Sequence, residues 1–199
     1  MPLLWVDGVL ATPCADTDYD LRSQAEVDAL GQTGCTSVRG RLVIGRTSGS
    51  DDITSLESLV NLTSVEGSMD IYYNDVLTNL DGLDNLTSVE GHLYIGYNAV
   101  LTSLNGLANL TSVGALYLID NSALTNLDGL ARLTRIEDLL DIIGNPALAN
   151  LNGLANLTSV EGGLNISSNP ALTNLDGLTN LTSVESINIE NNRALTNLD

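Results

Sequence analysis

Residues 89–112 of the chain read VEGHLYIGYNAVLTSLNGLANLTS, and this stretch recurs with small changes from Val38 onward. Its first residue has equivalents at intervals of 27, 24, 24, 23, 24 and 24 residues. These equivalents are Val38, Val65, Val89, Val113, Ile136, Val160 and Val184. A repeat of about 24 residues is typical of solenoids, in which each unit stacks on its neighbours.

Each repeat combines a short strand with a run of leucines. In the quoted unit, Leu93 and Ile95 alternate as strand residues do, and their side chains point to the same face. Leucine then recurs at every third position, which indicates a compact coil and not a helix. These residues are Leu101, Leu104, Leu107 and Leu110. Coils stacked about 4.8 Å apart would build one parallel sheet and bury each leucine column. We therefore predict a β-rich solenoid of about seven coils over residues 38–199, the last one incomplete.

A column of asparagines completes the pattern. Its members are Asn74, Asn98, Asn121, Asn145, Asn169 and Asn192. We expect these amides to turn inward and to satisfy main-chain groups that a tight bend leaves unpaired. Strand, leucine run and asparagine together form a leucine-rich-repeat signature. The first coil has three extra residues between Ile44 and Ile53, which predicts an outward bulge. The last coil stops at Asp199 without a cap, so we expect the natural protein to be longer.

Residues 1–37 precede the repeats, and we expect an N-terminal segment and cap there. Residues 1–13 are apolar in part but lack a basic start, so they fit neither a signal peptide nor a membrane span. We interpret the chain as one whose export signal has been removed. Cys14 and Cys35, the only two cysteines, bracket a short predicted helix with a capping box at Ser23 and Glu26. A disulfide closing this loop would contribute about 3 kcal/mol. It would also indicate an oxidising compartment, whereas a reduced pair of buried thiols is the alternative.

Three features of the sequence point to a known family. They are Cys14 with the predicted helix, CTSVRGRLVIG at residues 35–45, and later units of the form Asn-x-x-Leu-Thr-x-Leu-x-Gly-Leu-x-x-Leu-Thr-Ser-Val. Together they resemble the receptor L domain, especially that of bacterial and fungal surface proteins, over nearly the whole chain. The resemblance implies a right-handed leucine-rich coil with one parallel sheet, a disulfide-closed N-terminal cap, and a secreted or cell-surface location. It does not identify the ligand, because members of one fold bind different partners through different surfaces.

The chain is strongly acidic. It has 25 Asp and Glu residues against 7 arginines and no lysine, for a formal charge of −18. Nucleic acids and anionic membranes need a basic surface, so we expect neither nucleic-acid binding nor direct membrane insertion. The charge is compatible with cationic partners, a saline habitat or simple solubility.

No set of catalytic residues is apparent. His92 is the sole histidine, neither cysteine has a basic neighbour, and the sequence contains no phosphate-binding loop or metal-ligand motif. We therefore expect no enzyme activity and no cofactor. Carboxylates do recur along the repeats, and calcium could relieve their mutual repulsion. Turn chemistry in the Asp-Gly and Asn-Gly pairs, and solvation of the remaining acids, explain them without a metal.

The repeats differ most at positions expected to face outward from the strands. Five of the six tyrosines lie there, on three neighbouring coils. The candidate ligand-binding residues are Asp70, Tyr72, Tyr73, His92, Tyr94, Tyr97, Tyr117 and Ile119. Rigid amphipathic side chains on a sheet are typical of surfaces that bind protein or carbohydrate. We predict a recognition or adhesion module, with the strand propensity of tyrosine as the simpler explanation.

The repeats agree most in a ladder of threonines. Its members are Thr63, Thr87, Thr111, Thr134, Thr158 and Thr182. Hydroxyl and methyl groups repeated about every 4.8 Å could order water. Ice binding, as in an antifreeze protein, is therefore the alternative function. Duplication of one successful repeat accounts for the ladder equally well.

Overall fold

The structure, a computed structural model, describes residues 5–6, 9–10, 14, 17–45 and 52–196. One α-helix, α1, spans Gln24–Gln32. The strands are β1 (Trp5–Val6), β2 (Val9–Leu10), β3 (Tyr19–Leu21), β4 (Ser37–Val38), β5 (Leu42–Gly45), β6 (Ser64–Val65), β7 (Met69–Tyr72), β8 (Ser88–Gly96), β9 (Ser112–Ile119), β10 (Arg135–Ile136), β11 (Leu140–Ile143), β12 (Ser159–Val160), β13 (Gly163–Ser167) and β14 (Ser186–Glu190). One-turn 3-10 helices span Glu57–Leu59, Asn105–Leu107, Asp128–Leu130, Asn152–Leu154 and Asp176–Leu178.

Twelve strands, β3 to β14, form one parallel sheet, which confirms that prediction. The main row of neighbours is β3, β5, β7, β8, β9, β11, β13 and β14, so successive repeats lie side by side in chain order. The pairing is in register at one repeat, as for Ile71 with Ile95 and Leu116 with Leu140. Among the described residues the sheet is open, because β3 and β14 end the row and do not pair with each other. β1 and β2 form an antiparallel pair outside this sheet.

The leucine columns form the core. In the quoted repeat, Leu101, Leu104, Leu107 and Leu110 are all fully buried, and their equivalents in neighbouring repeats are buried with them. One fully buried leucine contributes about 1.5 to 3 kcal/mol relative to an exposed one. A single coil cannot bury all four leucines against itself, so this core exists only because the repeats stack.

The asparagine column turns inward, as predicted. Asn98 is fully buried, and its Nδ2 donates to the carbonyl of Ile71 at 2.9 Å. Its Oδ1 accepts from the main-chain N–H of Asn74 at 3.1 Å. The same contacts recur at Asn121, Asn145 and Asn169. Each amide therefore joins two repeats while it satisfies buried main-chain groups.

The column begins at Asn74, whose Oδ1 has no hydrogen-bond partner among the described residues. By the spacing of the repeats, the equivalent position falls within residues 46–51, which lie outside the described part.

The glycine in each Asp-Gly or Asn-Gly pair is required by packing more than by turn conformation. A Cβ at Gly106 or Gly129 would overlap the carbonyl oxygen of Leu80 or Leu104 in the preceding repeat. Only Gly82 in this column has a left-handed φ, of 105°. The turn chemistry expected from the sequence thus explains the glycine at position 82 alone. Close approach of neighbouring backbones explains why glycine recurs at this position in the other repeats.

The N-terminal cap is held by a disulfide and a helix. Cys14 and Cys35 are bridged, which confirms the predicted pairing. Helix α1 begins after Ser23, whose hydroxyl accepts from the N–H of Glu26 at 3.3 Å. The Glu26 carboxylate accepts from the N–H of Arg22, one residue before the expected capping-box partner. Gly34, at φ 67°, follows the helix, and β3 pairs with β5 to extend the sheet over the cap.

Several expectations concern residues outside the described part. They are the interpretation of residues 1–13, apart from the backbone of β1 and β2, the bulge between Ile44 and Ile53, and the end of the chain at Asp199. Within the described residues, no helix is both long and apolar enough to cross a bilayer.

Candidate functional site

The strand register arranges outward-facing residues in rows across the repeats. One row takes one residue from each of β7, β8 and β9: Asp70, Tyr94 and Tyr117. A second row lies two residues further along the same strands: Tyr72, Gly96 and Ile119. Residues two apart in a strand point to the same side, so both rows lie on one face. Ile119 is half-buried at the border of this face.

Tyr73 and Tyr97 form a third row. The sequence analysis expected them within the strands, but they lie just beyond the strand ends. β7 ends at Tyr72 and β8 at Gly96, and φ angles of 53° and 56° place these two tyrosines in the left-handed region. Their N–H groups donate to carbonyls of the next repeat. Later repeats have the same conformation at this position, at Asp120, Gly144, Ser168 and Asn191. The shared turn ends each strand and puts both rings at the rim of the face.

The aromatic rings form one continuous surface. Tyr73 and Tyr97 are stacked, with centroids 4.7 Å apart and planes 6° apart. Tyr72 meets Tyr73 edge-on at 5.7 Å and Tyr94 edge-on at 6.4 Å. Tyr117 continues the chain of contacts to Tyr94 at 6.3 Å and to His92 at 5.9 Å. We call these five tyrosines and His92 the tyrosine face.

Gly96 positions the central ring of the tyrosine face. A Cβ on Gly96 would lie 2.6 Å from Cε1, Cζ and the hydroxyl oxygen of Tyr94. The Tyr94 ring therefore lies over the backbone of its own strand, in the space that a side chain at position 96 would fill. The sequence analysis did not select Gly96. Its signal is glycine at a position occupied by tyrosine or isoleucine in the neighbouring repeats.

The sequence analysis expected Asp70 to face outward as a ligand-binding residue, but its side chain is buried. It is only 4 % exposed, because Arg41 and His92 cover it. Arg41 Nε lies 2.6 Å from one carboxylate oxygen of Asp70, and His92 Nε2 lies 3.1 Å from the other. The hydrogen bond to Asp70 raises the pKa of the Arg41 guanidinium. Asp70 thus supports the tyrosine face from below by fixing the imidazole.

Ser68 is a second residue that the sequence analysis missed. Its Oγ lies 3.0 Å from His92 Nδ1, and the main-chain N–H of His92 donates to the same oxygen at 3.3 Å. A hydroxyl, an imidazole and a carboxylate are thereby in contact, as in hydrolase triads. The Ser68 hydroxyl and the Asp70 carboxylate contact the two ring nitrogens of His92 and hold the imidazole in place. In the neutral tautomer that donates Nε2–H to Asp70, Nδ1 accepts from Ser68.

Burial and acidic neighbours keep the phenols of Tyr94 and Tyr117 neutral. Burial raises the pKa of Tyr94 to about 12, with further contributions from Tyr97, Tyr73 and Asp120. Burial also raises the pKa of Tyr117, and the carboxylates of Asp141 and Asp138 add to this effect. At neutral pH these two residues therefore present phenol hydroxyls and ring faces.

The threonine ladder lies elsewhere and is bonded to the backbone. All six threonines are exposed. The hydroxyl of Thr87 donates to the carbonyl of Thr63 at 3.0 Å, and that of Thr111 donates to Thr87 at 3.0 Å. The same bond links Thr182 to Thr158 at 3.1 Å. These hydroxyl protons tie one repeat to the next.

The described residues contain no group of three or more His, Cys, Asp or Glu side chains placed to hold a metal ion. Calcium binding stays a prediction from the recurring carboxylates.

The stacked parallel strands and the aromatic surface on them define a repeat protein with a candidate binding face. Residues 34–101 match the family model of the receptor L domain. The match includes all of the tyrosine face except Tyr117. No curated protein and no solved structure matches the chain.

Proposed function

We propose that this protein is an extracellular, non-enzymatic recognition or adhesion module that binds a protein or glycan ligand through the tyrosine face. The observation that carries the proposal is the unbroken contact of five tyrosine rings and one imidazole on three adjacent strands and the turns that follow them. Aromatic side chains are enriched among the residues that dominate binding energy, because they bury a large area at low entropic cost.

Two further observations support the location and the class. The receptor L domain match suggests an extracellular ligand-binding module. The disulfide between Cys14 and Cys35 is of the kind that persists in oxidising compartments. We also propose that the stacked repeats form a right-handed solenoid of the bacterial or fungal surface-protein type. The regular register of one repeat per strand supports this architecture.

The test is a binding screen against glycan arrays and secreted-protein libraries, followed by titration of any ligand with variants. The triple variant Tyr72→Ala, Tyr94→Ala, Tyr117→Ala removes the centre of the face. Each central aromatic lost should cost about 2 kcal/mol, or roughly a thirtyfold loss of affinity. Asn165→Ala is the matched control, because Asn165 occupies the Tyr94 row on β13, beyond Tyr117 and Asp141. A triple variant that binds as tightly as the wild type, while its circular dichroism is unchanged, would place the site elsewhere.

Ice binding is the second candidate, and the exposed, regularly spaced threonines favour it. Against it, most of the ladder's hydroxyl protons are already donated to main-chain carbonyls. Thermal hysteresis that disappears when Thr87 and Thr111 are replaced by bulky residues would decide in its favour.

A further inference from the structure

The two ends of the tyrosine face differ in charge compensation. At the β5 end, Arg41 is paired with Asp70, and Arg22 on the cap is paired with Asp20. At the β9 and β11 end lie Asp120, Asp138 and Asp141. None of these three is in an ion pair with a described residue. The aromatic surface is therefore bordered on one side by uncompensated negative charge.

Two of these carboxylates continue the rows of rings. Asp141 on β11 is the register partner of Tyr117 on β9. Asp120 follows Tyr97 in the row of left-handed residues. Its carboxylate lies over Gly144, and a side chain at position 144 would displace this carboxylate. Neighbouring positions in a row are about 4.8 Å apart. A group resting on the Tyr97 or Tyr117 ring would thus be beside a carboxylate.

The stacked pair leaves one ring face directed toward Asp120. Tyr73 covers the face of Tyr97 on the β7 side, and the parallel planes mean that the opposite face is turned toward the Asp120 position. Tyr97 is 37 % exposed, so part of its side chain is accessible to solvent. The face of an aromatic ring carries partial negative charge and attracts cations, particularly the guanidinium of arginine.

The environment of Asp141 also favours a cation beside the aromatic rings. It is half-buried in the centre of β11, and burial raises its pKa because the ionised form has lost part of its hydration. A bound cation would compensate that loss. A neutral sugar would leave the charge as it is. The overall charge of −18 also draws cationic ligands toward the surface from a distance.

We propose that the ligand of the tyrosine face is a basic protein segment. An arginine or lysine of this segment lies on Tyr97 or Tyr117 and pairs with Asp120 or Asp141. This inference rests on the proposed function and specifies the chemistry of the partner.

The probe is a pair of synthetic eight-residue peptides of Gly, Ser and four arginines, or with citrulline in place of each arginine. Citrulline keeps the shape of the arginine side chain but has no charge, because a carbonyl oxygen replaces one nitrogen of the guanidinium. The arginine peptide should bind at least tenfold more tightly in calorimetric titration at 50 mM NaCl, and its affinity should fall steeply at 500 mM NaCl, because salt screens exposed charges. Equal binding of the two peptides would overturn the proposal.

Two double variants of the protein test which carboxylates bind the arginine peptide. Asp120→Asn with Asp141→Asn should weaken the arginine peptide tenfold or more. The matched control is Asp128→Asn with Asp176→Asn, which removes two exposed carboxylates from 3-10 helices of other repeat segments and should change the affinity less than threefold. Equal losses in both double variants would mean that net charge alone attracts the peptide, and the proposal would fail. Replacing the half-buried Asp141 should not lower the melting temperature, so weaker binding would not report unfolding.

The outcomes also separate this inference from the proposed function. A screened ligand that depends on Tyr72, Tyr94 and Tyr117 but not on the two aspartates would overturn only the cationic partner. An arginine peptide that binds equally well to the triple tyrosine variant and to the wild type would overturn both.

Discussion

At the scale of single residues, the asparagine after each strand joins its repeat to both neighbours through hydrogen bonds. Asn98 is fully buried and makes hydrogen bonds to both neighbouring repeats. Its amide accepts from the main chain of Asn74 and donates to the carbonyl of Ile71. Buried main-chain groups have no water to replace such a partner, so each amide is needed where it stands.

Asn98→Ala should lower the free energy of unfolding by about 3 kcal/mol, because it leaves a buried N–H and a buried carbonyl without partners. Urea denaturation followed by circular dichroism measures the change. Asn105→Ala is the control, since this asparagine is exposed, and its effect should stay within about 0.5 kcal/mol. Equal effects at the two positions would contradict the role assigned to the buried amide.

At the scale of elements, the one-turn 3-10 helices stack through glycine. Gly106, Gly129, Gly153 and Gly177 each abut a leucine carbonyl of the preceding repeat. Only a residue without a side chain permits this distance between two backbones. The spacing of the 3-10 helices is thereby matched to that of the strands on the other side of each coil.

Gly129→Ala should destabilise the protein by about 2 to 3 kcal/mol, because the new methyl group overlaps the Leu104 backbone and forces the two repeats apart. A thermal melt should show a clearly lower midpoint. In Gly163→Ala, the added Cβ would be 3.0 Å from the Ser186 hydroxyl, a side-chain atom that can move. This control should change stability by less than about 1 kcal/mol. A normal melting temperature for Gly129→Ala would show that the repeats can separate without cost.

At the scale of the whole molecule, the two ends of the described sheet differ. At the N-terminal end, the disulfide and α1 close the core. At the other end, Leu175, Leu178 and Leu181 are only partly buried, and Ile187 on β14 is 58 % exposed. In a stack of repeats each unit is stabilised mainly by its immediate neighbours, so stability should vary along the array.

Hydrogen exchange should therefore be fastest in β14 and slowest in β8 and β9, with a difference in protection of roughly tenfold or more. Mass spectrometry of peptic fragments resolves the repeats. Reducing the disulfide serves as the internal control, because it should speed exchange in β3 and leave β14 unchanged. Uniform protection across all strands would mean that the sheet opens as one cooperative unit and that its open end has no local effect.

Much of this architecture could be predicted because it repeats. Periodic Val and Leu positions determine which side chains meet at each step, and the asparagine column is in register with them. The parallel sheet, the leucine core and the inward amides follow from that periodicity, since equivalent residues in stacked coils are neighbours. The pairing of Cys14 with Cys35 was predictable because the chain has only two cysteines.

The tertiary structure alone decided how the candidate site is built, because the site consists of departures from the repeat. Asp70 is buried because Arg41 and His92, from two other repeats, converge on its carboxylate. Tyr73 and Tyr97 leave the strand because the hydrogen bonds of the shared turn impose a left-handed φ that tyrosine itself disfavours. The sequence determined which residues stand in each row, but side-chain contacts between different repeats determined which of them are covered, stacked or exposed.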